Sequence, residues 1–264
     1  MSYRTIFSII NEHTVSTVSA RYAVSLAAAC KAELVLYAAH AAGSHEVLLE
    51  RTERHLDHIL KLSSELNIPV TRIIEVGNIR TLLPKRVLAE KAELVVYPLT
   101  PDERYGARLT RHTVDHLLQT IRSDLAIVRT ISMAKPHPGH ILVPLGRVVG
   151  DKERRLQFIT GLAASYNSKI TLFHLFAERE AKGMPDDITR FGKQLQQEHI
   201  TVVERSGRGT LGRSITVEAI IRHNDLIVLG VSGRGILRRL FTGNPVCDVL
   251  QQPPCNVILF RSAL

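Results

Sequence analysis

A chain of 264 residues, 45% hydrophobic and 22% charged, is composed like a folded protein of one large or two ordinary domains, which excludes disordered and fibrous classes. Its apolar runs are strand-sized, excluding a membrane-spanning helix, and its three cysteines (Cys30, Cys247 and Cys255) make no disulfide framework and suit free thiols. The net charge of +9 is uneven: residues 1–132 hold 16 Lys/Arg against 14 Asp/Glu, and residues 133–264 hold 18 against 11.

In chain order, Thr5–Ile10 predicts a strand, Thr14–Cys30 a helix with Val18, Tyr22, Leu26 and Ala29 at helical spacing, and Glu33–Ala39 a strand. His45–Leu66 predicts a long amphipathic helix, with Leu48, Leu49, Leu56, Ile59, Leu60 and Leu66 on its apolar side. Pro69–Val76, closed by Gly77, predicts a strand and Ile79–Glu90 a helix. Leu94–Tyr97 is a strand, Pro98–Thr110 a loop, Arg111–Ile121 a helix and Leu125–Arg129 a strand. This alternation argues a parallel, doubly wound sheet. Ile131–His140, with two prolines and a glycine and no period, reads as a linker between a first domain, 1–132, and a second, 133–264.

The second part runs in the same order. Strands are predicted at His140–Leu145, Lys169–Phe176, Ile200–Glu204, 225–229 and 255–260, and helices at Asp151–Tyr166, Pro185–His199, Leu211–His223 and 245–251. Ser206-Gly207-Arg208-Gly209 reads as the turn before helix 211–223. At an offset of 132 residues, Glu93-Leu94-Val95-Val96 lies over Asp225-Leu226-Ile227-Val228, Leu117-Leu118-Gln119 over Val249-Leu250-Gln251, and Arg129 over Arg261, without a gap.

Between the last helix and the strand before it lies GVSGRGILRRLFTGNP, Gly230–Pro245. Gly230 and Gly233 carry no side chain, so a bulky ligand can approach their backbone. Gly243, Asn244 and Pro245 open a helix, where free N–H groups and the helix dipole favour an anion. Arg234, Arg238 and Arg239 add positive charge. The segment lacks the Gly-Lys-Ser/Thr of a Walker loop and the GxGxxG of a dinucleotide fold. It reads as a phosphate-binding loop or as a tight strand-to-helix connection.

The order Gly230, two residues, Gly233, nine residues, Gly243, Asn244 resembles the ATP-binding loop of the universal stress protein family, whose last position is usually Ser or Thr. His140–Leu145, Ile170–His174, Asp225–Gly230 and Pro254–Arg261 are similar to the family's strands one, two, four and five. The whole chain thus looks like a tandem universal stress protein. The resemblance implies two similar doubly wound α/β domains, each a five-stranded parallel sheet flanked by helices, packed as a pseudo-dimer. It also implies a nucleotide across the carboxyl ends of the strands, where the switch-point rule for open α/β sheets places ligands as well.

On that resemblance the second domain binds ATP or a related adenine nucleotide, with Mg left open and no metal site of its own. Val143, Pro144, Leu145, Gly146 and Leu175 would line the base side, and Gly230, Gly233, Arg234, Gly243, Asn244 and Pro245 the phosphates. The family commonly carries an aspartate where this chain has Gly146, so a carboxylate is lost, and Arg147 and Lys152 could bring charge instead. In the first domain Pro98, Pro101, Arg111 and His112 replace Gly230, Gly233, Gly243 and Asn244, which removes the family's ATP site there.

The expected function is a cytoplasmic stress-response sensor or regulator, the start MSYRTIFSII showing no signal-peptide pattern. Two alternatives stand: a weak ATPase or nucleotidyl-transfer enzyme of the same fold, and a ligand-free interaction module whose arginines meet an acidic partner. Neither membrane nor nucleic acid is expected, since only 5% of residues are aromatic and no Lys/Arg run occurs. A homodimer and a protein partner stay open. The pairs His55/His58 and His112/His116 read as exposed helical histidines, because no third ligand accompanies either.

Overall fold

The computed structural model describes residues 2–100, 111–131, 137–176, 183–231, 249 and 253–263, with backbone only at 111–113. The chain divides into unit 1, Met1–Thr130 with Ala263–Leu264, and unit 2, Ile131–Ser262. Unit 1 runs β1 (Thr5–Ile9), α1 (Thr14–Cys30), β2 (Glu33–His40), α2 (Glu46–Glu65), β3 (Val70–Val76), α3 (Ile79–Ala89), β4 (Leu94–Pro98), α4 (Arg111–Thr120) and β5 (Asp124–Arg129). Unit 2 runs β6 (His140–Leu145), α5 (Lys152–Tyr166), β7 (Lys169–Phe176), α6 (Asp186–Gln197), β8 (Val202–Arg208), α7 (Leu211–Ile221), β9 (Leu226–Gly230) and β10 (Asn256–Arg261). Among the described residues no helix is long and apolar enough to cross a membrane.

Strand order is β3-β2-β1-β4-β5 in unit 1 and β10-β9-β6-β7-β8 in unit 2, with parallel pairing. The sequence foretells these positions. Central β1 and β6 are apolar with almost every residue buried, whereas β3 and β8 alternate between half-buried and exposed, as strands at the end of an order do. Helices cover the faces through apolar stripes: in α6 Ile188, Phe191 and Leu195 recur at helical spacing, all fully buried. The ring of Phe158 on α5 stacks on Phe260 of β10, centroids 4.3 Å apart. Helix α2 buries Leu56 and Ile59, but Leu48, in its first turn, and Leu66, its C-cap, both assigned to its apolar side by periodicity, are exposed at the helix ends.

The two units share backbone features. Left-handed residues recur in pairs: Lys31 with Asn167 (φ 53° and 50°), Asn67 with His199 (53° and 62°), and Lys91 with His223 (52° and 52°). One prediction needs correction. Ser206-Gly207-Arg208 is not a turn but the end of β8, paired with His174, Leu175 and Phe176. Gly207 is there because a Cβ would meet the Phe173 ring at 2.9 Å; the turn itself is Gly209, at φ 120°.

Candidate functional site

In unit 2 the chain steps from β6 outward to β7 and β8 on one side, then to β9 and β10 on the other, so β6 and β9 meet at the switch point. Their ladder is short: Ile141 pairs with Leu226 and Leu142 with Ile227. Beyond those pairs the strand ends part, and Pro144 has no N–H to continue a ladder. A cavity of about 370 Å³ opens there, within the range of ligand pockets, about 300–1,000 Å³.

Strand β6 and the turn after it give the cavity Pro144, Leu145 and Gly146, and β7 gives Phe173 and Leu175. The first turns of α7 add Leu211 and Ile215, the end of β9 adds Leu229, Gly230 and Val231, and β10 adds Leu259. None of these described residues ionises. It suits a flat apolar body, with the Phe173 ring as its aromatic face. A hollow on α2, between Glu46, Leu49, Glu50, Glu53 and Arg54, has a single helix for a wall and encloses nothing.

Of the residues proposed from sequence, Pro144, Leu145, Gly146, Leu175 and Gly230 line the cavity. Val143 does not: it lies inside the sheet, paired with Leu172 and fully buried. Gly233, Arg234, Gly243, Asn244 and Pro245 lie outside the described residues, as do Pro101, Arg238 and Arg239. Phe173, Leu211, Ile215, Leu229, Val231 and Leu259 escaped sequence reading, since an apolar residue facing a cavity has no signature separate from core; strand order and register would have pointed to them. At Gly146 a Cβ would reach only the Val148 carbonyl oxygen, at 3.9 Å, so the position is open and has no carboxylate.

Charge around the cavity is arranged differently from the sequence reading. Lys152 does not turn toward it but pairs with Asp187 on α6, which also accepts the Val149 N–H at 2.8 Å and a bond from Arg190 at 3.3 Å. These contacts, the Lys152 ammonium first, hold the Asp187 carboxyl below the usual range and tie the turn after β6 to α6. Arg155 instead lays its guanidinium against Gly230: a Cβ on Gly230 would fall 2.6 Å from Nη1, and still nearer to Cζ and Nη2. Gly230 thus makes room for an arginine. The Arg155 Nε is shut off from solvent with no hydrogen-bond partner. Burial pushes this group below its ordinary value, with Asp151, one turn earlier, acting in the opposite sense. On β7, His174 brings Nδ1 to 3.0 Å from the Leu145 carbonyl oxygen, bracing the two strands that give the cavity its floor.

Unit 1 places other residues at the corresponding positions. By register, Tyr37 stands where unit 2 has Phe173, Ala39 where it has Leu175 and Glu75 where it has Gly207. The Tyr37 hydroxyl donates to Glu75 at 2.8 Å, and Arg86 also holds Glu75. Arg86 keeps the Glu75 carboxyl low, while burial and then Glu75 push the Tyr37 hydroxyl up. A polar clamp therefore occupies what in unit 2 is apolar wall. Strand β4 ends on Pro98 as β9 ends on Gly230.

Among the described residues no cluster of three or more His, Cys, Asp and Glu is placed to hold a metal. The His55 Nδ1 lies 2.8 Å from the Asn11 carbonyl oxygen and the His116 Nε2 2.9 Å from that of Arg80. Cys255 is buried, and burial with the nearby Asp225 pushes its thiol up to about 12, which makes it unreactive.

Residues 138–261 match the model of the Universal stress protein family. No curated protein matches. Solved structures match over nearly the whole chain. A universal stress protein from Archaeoglobus fulgidus DSM 4304 is 11% identical over 98% of this chain and 96% of its own, TM-score 0.67. A functionally unknown protein from Pseudomonas aeruginosa PAO1 is 15% identical over 98% and 93%, TM-score 0.67. The cytoplasmic domain of a prokaryotic cation chloride cotransporter is 9% identical over 99% and 96%, TM-score 0.68. At such identities the likeness is one of fold. Residues 138–261 thus match the universal stress protein family, within an α/β architecture that these structures share along nearly the full length of the chain.

Proposed function

We propose that unit 2 binds ATP or a related adenine nucleotide in the switch-point cavity, and that the protein serves as a stress-response sensor or regulator with unit 1 as a structural partner domain. The observation that carries this reading is an apolar cavity of about 370 Å³ whose rim includes Gly230, the first residue of the glycine-rich segment. A purine would lie against Phe173, Leu145 and Leu175, and its phosphates would extend toward the segment that Gly230 begins. The match of residues 138–261 to the universal stress protein family supports the same assignment. The polar clamp of Tyr37, Glu75 and Arg86 supports a single site per chain. Calorimetric titration of the full chain with ATP, ADP and AMP tests this: one site per chain is expected, and two equivalent sites or no heat with any of the three refutes it.

A further inference from the structure

The aromatic face of the unit 2 cavity is placed by a residue that does not line it. Phe173 and Leu175 share one face of β7, and on β8 Gly207 pairs with Leu175, one step diagonally from Phe173. A large ring reaches such a diagonal neighbour on the next strand. The Phe173 ring does so: a Cβ on Gly207 would fall 2.9 Å from its Cζ and 3.3 Å from its Cε2. The ring therefore leans toward β8, on the opposite side of β7 from Pro144, its partner on β6. The cavity opens on the Pro144 side. Gly207 has no positive φ, so its backbone does not require glycine; the ring over it does. In unit 1 the corresponding place carries a side chain, Glu75. There the Tyr37 ring packs on Phe7 of β1, the strand that borders the switch point, with centroids 5.3 Å apart, and its hydroxyl is tied to Glu75.

We propose that Gly207 is a positioning residue of the unit 2 cavity: by leaving out a side chain it lets the Phe173 ring lie over β8, and so keeps the cavity wide enough for a purine. This rests on the nucleotide reading above and adds to it the residue that sets the width of the base side. Gly207→Ala would drive the ring tip off β8, and packed interiors have no slack to absorb it. The space open to the ring is the cavity it already lines. A ring turned into that cavity narrows it, and the larger base loses first.

The test titrates the full chain, as wild type, Gly207→Ala, Phe173→Leu and the double variant, with AMP and with UMP. It also follows the Phe173 ring by nuclear Overhauser contacts to residue 207 and to Pro144. Gly207→Ala should weaken AMP about tenfold and UMP less, with the ring contacts moving from residue 207 to Pro144. Leucine lacks the ring atoms that the new Cβ meets, so in the Phe173→Leu background Gly207→Ala should change AMP affinity little further. Equal AMP affinity in wild type and Gly207→Ala, equal losses in both backgrounds, or unfolding by Gly207→Ala in both backgrounds overturns the proposal. The nucleotide reading then stands without it as long as wild type binds AMP. If wild type binds neither nucleotide, that reading fails and the ring contacts decide. A ring that moves toward Pro144 in Gly207→Ala upholds Gly207 as the residue that keeps the cavity open, and a ring that stays over residue 207 refutes it.

Discussion

Gly230→Ala probes the packing that defines this edge of the site. Gly230 ends β9 without a positive φ, so alanine is compatible with its backbone. The obstacle is the Arg155 guanidinium, whose Nη1 would lie 2.6 Å from the new Cβ, far inside van der Waals contact. Overpacking of this kind costs about 1–3 kcal/mol, and the loss of unfolded-state freedom on replacing glycine returns about 0.4–1 kcal/mol. The net loss for unit 2 is up to about 2.5 kcal/mol, or ~2–4 °C in Tm for each kcal/mol. With Arg155→Ala already in place the clash disappears, and Gly230→Ala becomes neutral or slightly stabilising. The double-mutant cycle should therefore show a coupling of about 1–3 kcal/mol, the overpacking contribution itself. The chain has no tryptophan, so far-ultraviolet circular dichroism during urea and thermal unfolding is the suitable probe. Equal losses from Gly230→Ala in both backgrounds would mean that the guanidinium does not occupy that space, and the reasoning about Arg155 would fall with it.

Asp187→Asn should lower the Tm at neutral pH and flatten its acid limb. The folded carboxyl is held low by Lys152 and the Val149 N–H, so its stabilisation is present above the unfolded pKa, about 4, and is lost as pH falls through the folded value; an unchanged acid limb in melts down to about pH 3 contradicts this. Tyr37→Phe should cost about 1–2 kcal/mol by removing the donor to Glu75, with nucleotide titration unaffected, since the clamp belongs to unit 1; altered nucleotide affinity would argue against a site confined to unit 2. Gly233→Val, argued from sequence alone, should weaken ATP binding at least about tenfold with the melting curve preserved; wild-type affinity would make the glycine-rich segment a plain connection.

Much of the fold was legible because it rests on local chemistry. Strands of Val, Leu and Ile alternate with amphipathic helices, and that alternation dictates a parallel sheet with crossover helices. The offset of 132 residues between the two runs pointed to two similar α/β units, and the two units do share one strand order. The switch-point rule pointed to the strand ends, and a cavity lined by Pro144, Leu145, Gly146, Leu175 and Gly230 lies there. Tertiary structure decided the rest. Ser206-Gly207-Arg208 has the composition of a turn, yet pairing with β7 extends it, because a ladder with a formed neighbour outweighs one glycine's propensity. Lys152 stands next to the site in sequence but is drawn off by Asp187, and Arg155 settles on Gly230, 75 positions away in the chain. Neither pairing is encoded near the residues it involves. Each depends on which faces of α5, α6 and β9 the packed sheet brings together, and on the Cβ that glycine leaves out.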